Sequence, residues 1–220
     1  MIKKYVAPVL VLFSVLFALK AFAAEEALQE PVFENSRLVQ GAGTLAKGKK
    51  AFSLNLGLDL PEPLIYGIRF DFGVAKHYQL GFSGSVLGAV NTFGMNHLVN
   101  FYQSKNSRHF LSLAFSPFVA VTSESANNFY FFLPPSLIYE IRDEKGDTGF
   151  FVKAGTNSQL LVNPSRIFSE DDGWEHAFRG SVGFQKAFKK VGFFFEAGLF
   201  KDLSANVFVP VLKTGWTWGF

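Results

Sequence analysis

Residues 64–74 read Leu64-Ile65-Tyr66-Gly67-Ile68-Arg69-Phe70-Asp71-Phe72-Gly73-Val74. Taken alternately, Leu64, Tyr66, Ile68, Phe70, Phe72 and Val74 share one face, and Gly67, Arg69, Asp71 and Gly73 share the other. Helical spacing would scatter the two charges around a cylinder, whereas a strand sends successive side chains to opposite faces. A strand apolar on one side and charged or glycine-lined on the other fits a transmembrane barrel, with the apolar face toward lipid and the polar face toward the lumen.

The same period of two recurs along the chain. It predicts strands over 50–58, 64–74, 78–90, 93–103, 109–121, 128–142, 148–161, 175–186, 191–201 and 206–220. In 50–58 the outward set is Phe52, Leu54, Leu56 and Leu58; in 78–90 it is Tyr78, Leu80, Phe82 and Val86. The segment 93–103 is weaker, because it turns His97 outward. Ten strands satisfy the even count of single-chain bacterial barrels, and each is long enough to cross a bilayer at a tilt. Eight or twelve would follow if one weak hairpin were split or merged. Pro117, Pro134, Pro135 and Pro210 fall inside predicted strands, and each removes a ladder donor, so a bulge or strand boundary is expected nearby. The fold class is therefore all-β, an antiparallel up-and-down transmembrane barrel.

Composition agrees. The 220 residues are 49% hydrophobic and 18% charged, with 28 Phe and no Cys. A soluble core of this size has no use for that many large rings, whereas a lipid-facing surface does. The net charge of +3 is mild, and Lys and Arg form no basic stripe, so nothing indicates nucleic-acid binding.

The chain begins with the marks of a secretory signal. Lys3 and Lys4 precede an apolar run over 6–19, and Ala21-Phe22-Ala23 supplies a small-x-small cleavage site. Residues 1–23 are read as the signal peptide, 24–49 as an N-terminal periplasmic arm, and 50–220 as the barrel. The arm lacks alternation, starting acidic and becoming rich in Gly and Lys; a short helix or a plug are the other readings. Beyond residue 23 no stretch approaches the apolar length of a spanning helix, and a closed barrel is the other way to satisfy every backbone group in lipid.

The last eight residues are Lys213-Thr214-Gly215-Trp216-Thr217-Trp218-Gly219-Phe220. They resemble the C-terminal β-signal of Gram-negative outer-membrane barrels, polar-x-Gly-x-x-apolar-x-apolar with an aromatic last residue. Lys213, Gly215, Trp218 and Phe220 fill the four positions. The resemblance covers eight residues. It implies a place in the outer membrane of a Gram-negative bacterium and recognition by the barrel-assembly machinery. Outer-membrane lipid and lipopolysaccharide are the other expected partners, and the expected state is a monomer. Short connections at 75–77, 104–108, 143–147 and 187–190 are assigned to the periplasm, and the long one at 162–174 to the outside.

Three places could carry chemistry. Alternation turns Arg69, Asp71, Glu140, Arg142, Lys153, Arg179, Glu196 and Lys213 into the lumen, five positive and three negative groups. They form either a neutralising network that fills a narrow barrel or the lining of a mildly anion-favouring pore. Glu170, Asp171, Asp172 and Glu175 cluster in the long loop as a weak candidate cation site, without the spacing of an EF-hand. His77, His97, His109 and His176 have no accompanying G-x-S-x-G signature, so no catalytic residue is assigned. No cofactor and no metal site is predicted. The leading functional reading is a structural or surface-interaction barrel with a largely filled polar lumen. A narrow channel for small solutes and a lipid- or peptide-processing enzyme are the alternatives.

Overall fold

The computed structural model describes residues 40–59, 64–87, 90–122, 129–162, 174–188, 191–202 and 207–220. Twelve strand segments run in chain order: β1 (Lys50–Asp59), β2 (Leu64–Ala75), β3 (Tyr78–Leu87), β4 (Val90–Gln103), β5 (His109–Phe115), β6 (Phe118–Thr122), β7 (Phe129–Leu133), β8 (Pro135–Arg142), β9 (Thr148–Val162), β10 (Trp174–Ala187), β11 (Val191–Asp202) and β12 (Val207–Gly219). Every pairing is antiparallel, and β12 pairs with β1, so the sheet closes on itself.

Twelve segments make ten staves. β5 and β6 both pair with β4, β5 along His97–Gln103 and β6 along Val90–Gly94. β7 and β8 likewise share β9. Each pair of segments is one stave interrupted at a proline. Pro117 lies in the first break, where its carbonyl accepts the Met95 N–H at 2.9 Å. Pro134 forms the second break. A proline has no N–H for the ladder, so the pairing steps around it. Pro210 differs: it stays in register opposite Leu199 without ending β12.

Alternation sets the two surfaces. Outward lie Leu54, Tyr66, Ile68, Phe70, Phe82, Phe93, Phe150, Val182 and Trp216, all well exposed. Neighbouring strands bring their rings together: Phe52 lies 4.7 Å from Phe70 and 5.9 Å from Trp218, and Phe193 lies 5.0 Å from Trp216. Such cross-strand contacts add to register specificity beyond area. Inward lie Ser53, Asp71, Gln79, Ser112, Glu140, Gln185 and Glu196, all buried. His97 does turn outward. There its Nδ1 meets the Tyr78 hydroxyl at 2.8 Å, so the polar ring is partnered on an otherwise apolar face. A bulge between Asn100 and Tyr102 leaves both Phe101 and Tyr102 exposed, which strict alternation forbids.

The stretch read as a periplasmic arm is corrected over 40–46. Gly48 turns the chain with φ of 82°, a left-handed value suited to glycine, and donates its N–H to the Gly73 carbonyl at 2.8 Å. The residues before it run inside the barrel, with Gln40, Ala42 and Leu45 buried. Ala42 packs with Leu98, Phe110, Ile138 and Phe151, the largest buried apolar cluster. The reason is chemical: Gly41, Ala42 and Gly43 are small enough to lie against the wall, and inward polar side chains satisfy their backbone groups. Residues 1–39 lie outside the described residues, as do the signal peptide and most of the arm.

Candidate functional site

The inward groups predicted from alternation gather in two tiers. The first lies at the Lys50 end of the barrel. Glu140 and Arg142, two residues apart on β8, both point inward and pair, with Arg142 Nε donating to Glu140 Oε1 at 2.8 Å. Both are almost wholly buried. Gln185 Nε2 also donates to Glu140 Oε1, at 2.6 Å, and the guanidinium lies 4.6 Å above the Phe110 ring. The second oxygen of Glu140 accepts the Gly43 N–H at 2.8 Å. This one carboxylate therefore ties together β8, β10 and the internal segment.

Other wall residues hold the same segment. Gln185 Oε1 accepts the Gln40 N–H and Gln79 Oε1 accepts the Leu45 N–H, each at 3.0 Å. The Ala42 carbonyl accepts from Asn100 Nδ2 at 3.3 Å and from the Ser112 hydroxyl. All these contacts use backbone atoms of 40–45, and the Thr44 hydroxyl adds a side-chain bond to the Lys76 carbonyl at 3.2 Å. Glycines make the approach close. A Cβ on Gly43 would lie 2.0 Å from Arg142 Nη2, and one on Gly73 would lie 2.0 Å from the Ala46 carbonyl oxygen. The cavity left beside the segment, lined by Thr44, Asn100, Phe110 and Arg142, measures about 10 Å³, room for a single water. Filling here is as much aromatic as ionic, because Phe110 and Phe151 also point inward.

The second tier lies toward the middle of the barrel. Arg69 donates from Nε and Nη2 to Asp71 Oδ1 at 2.9 and 2.7 Å, and Gln79 Nε2 donates to the same oxygen at 2.9 Å. Glu196 accepts Lys153 Nζ at 2.8 Å and the Ser181 hydroxyl at 2.6 Å, with Arg179 at 3.9 Å. Lys213 completes the tier, its ammonium 5.9 Å from the Phe194 ring centroid. All eight predicted lumen charges thus face inward, divided into one closed pair and one group of four cations with two carboxylates. The sequence reading missed the polar residues that serve the segment, Gln79, Asn100, Ser112 and Gln185. Alternation places each of them inward, but nothing local marks them as partners of residues 40–45.

The residues of the terminal motif are spread over both faces. Lys213 faces the lumen. Gly215 leaves room for Phe194, whose ring a Cβ would meet at 2.6 Å. Trp218 stacks outward on Phe52, and Phe220 exchanges backbone hydrogen bonds with Lys50 at 2.8 and 2.9 Å. The loop acids Glu170, Asp171 and Asp172 lie outside the described residues, as does the side chain of Glu175. Among the described residues no cluster of His, Asp and Glu has metal-binding geometry. Besides the Tyr78–His97 pair, His109 Nδ1 meets the Tyr139 hydroxyl at 2.8 Å, again on the outer face.

No family model matches the chain, and no curated protein does. Solved structures that align with it include the N-terminal β-barrel domain of OprF from Pseudomonas aeruginosa, at 13% identity over 79% of this chain and 98% of that one, with a TM-score of 0.36. Ail, the attachment invasion locus protein of Yersinia pestis, aligns at 9% identity over 79% and 99%, with a TM-score of 0.31. Pseudomonas aeruginosa OccK5 (OpdH) aligns at 8% identity over 76% and 62%, with a TM-score of 0.26. Alignments this loose carry no argument. The barrel stands on its own strand pairing.

Proposed function

We propose that this chain is an outer-membrane barrel with a structural or surface-interaction role, its lumen closed at one end by its own residues 40–46. The observation that carries this reading is the Glu140 latch. One buried carboxylate binds Arg142, Gln185 and the Gly43 N–H together, so wall and segment form a single packed unit. Membrane insertion is supported by the outer face, where Tyr66, Phe93, Phe150 and Phe208 stand exposed on a sheet over which no second layer lies among the described residues. The Lys50 end, with its short turns, is the periplasmic end in this reading, and lipid and lipopolysaccharide surround the band as partners.

Planar-bilayer recording tests the closed lumen. The folded chain is expected to give a flat trace, with heat-modifiable gel mobility confirming that a barrel is present. Reproducible single-channel steps would overturn the closed barrel in favour of a narrow channel.

The terminal motif is proposed as the contact for the barrel-assembly machinery. Its support is that Trp218 and Phe220 lie at the β12–β1 seam, the last pairing to close in chain order. Removing Phe220 is expected to slow assembly in cells while leaving the urea stability of the refolded barrel within about 1 kcal/mol. Equal assembly rates would remove that role.

A further inference from the structure

The mid-lumen group is unbalanced in a specific way. Its two carboxylates are buried, Asp71 at 0% and Glu196 at 4% side-chain exposure, whereas Arg69, Lys153 and Arg179 retain 16%, 19% and 42%. The acids therefore lie beneath and the cations face the open lumen. Arg69 is committed to Asp71, and Lys153 to Glu196. Arg179 and Lys213 are held more loosely. Arg179 reaches Glu196 only at 3.9 Å, and Lys213, its ammonium 5.9 Å from the Phe194 ring centroid, shares that same carboxylate electrostatically. Arg69 and Arg179 also lie within electrostatic reach of both Lys153 and Lys213. Four cations crowded in a narrow, partly desolvated space repel one another unless anionic charge joins them.

From this geometry we infer that Arg179 and Lys213, with Lys153 beside them, form a site for a small oxyanion, a phosphate or carboxylate group on a solute entering from the Asp59 end. The planar guanidinium supplies a fork of donors and the ammonium a point charge, the pairing that suits a tetrahedral or planar oxyanion. On β3 and β4 the wall leading to the site is polar and uncharged. Ser85 bonds to Thr92 at 2.6 Å, and Asn96 to Ser83 at 3.1 Å, so their polar groups line the approach. The 40–46 segment lies on the other side, held to Glu140, Gln185 and Gln79. Two acids stand near in register: Asp59 pairs with Val211, two residues from Lys213, and Asp202 pairs with Ala177, two residues from Arg179.

Isothermal titration of the full chain, folded in detergent micelles, with sodium phosphate at constant ionic strength tests the site, heat-modifiable mobility confirming the fold of every variant. One saturable site is expected. Arg179→Gln and Lys213→Gln are each expected to weaken it about tenfold. Lys186→Gln, which removes an exposed outward charge, should leave it unchanged. Absence of saturable binding by the folded chain overturns the site. So does binding undiminished in both lumen variants, or binding that appears only when Asp59 and Asp202 are both changed to Asn, since the chain's own acids would then occupy the cations. These outcomes are independent of bilayer conductance, which tests the closed lumen separately.

Discussion

Gly73→Val is expected to turn a silent barrel into a conducting one. A Cβ at this position would lie 2.0 Å from the Ala46 oxygen and 2.8 Å from the Leu45 oxygen. Both are backbone atoms, so no rotamer change relieves the overlap, and the branched side chain of Val adds to it. The Gly73 backbone itself is not left-handed, so β2 accepts Val and the segment must yield. Displacing it breaks the bonds from Gln40, Gly43 and Leu45 to Gln185, Glu140 and Gln79 and uncovers the Ala42 cluster. The stability loss from such overpacking is about 1–3 kcal/mol, which leaves a barrel to record from. Planar-bilayer traces should show discrete steps for Gly73→Val and none for the parent. Gly67→Ala is the control, because its new methyl meets nothing closer than 3.4 Å. A folded Gly73→Val barrel that stays silent would move the seal to the mid-lumen charges.

Phe70→Arg should cripple assembly. Phe70 faces outward near the middle of β2, is 42% exposed, and packs against Phe52. An arginine on the lipid face of a barrel at mid-bilayer costs about 2–4 kcal/mol, a loss that lowers the folded-to-unfolded ratio about thirtyfold or more at the urea midpoint of the parent. Asp71→Asn, one residue on but on the lumen face, keeps the volume and an oxygen toward Arg69 and Gln79, so a smaller loss is expected. Urea titrations followed by heat-modifiable mobility compare the two. Equal losses would mean that the two faces of β2 have been exchanged.

Much of this architecture is legible in residues taken two at a time. Period-two patterning is a local property, and a bilayer outside the sheet makes it sharp, since Phe70 and Asp71 cannot exchange faces without large cost. Hence strand positions and the inward direction of all eight lumen charges follow from the chain alone, with ten staves as the leading count. Prolines were readable only as warnings: Pro117 and Pro134 interrupt staves, while Pro210, equally unable to donate, sits unbroken opposite Leu199. Whether a missing donor breaks a strand depends on what the neighbouring strand offers at that register.

What the sequence by itself determined is the barrel and its two faces, because those rest on alternation between adjacent residues; closure of the sheet decided for ten staves over eight or twelve. Tertiary structure alone decided where residues 40–46 go and which charges are spent. The segment has no pattern of its own. Its place comes from Glu140, Gln185, Gln79, Asn100 and Ser112 on separate strands, which meet only when the sheet closes. The same closure buries Asp71 and Glu196 beneath their partners and leaves Arg179 and Lys213 facing the lumen, a division that depends on distances across the barrel and not on spacing along the chain.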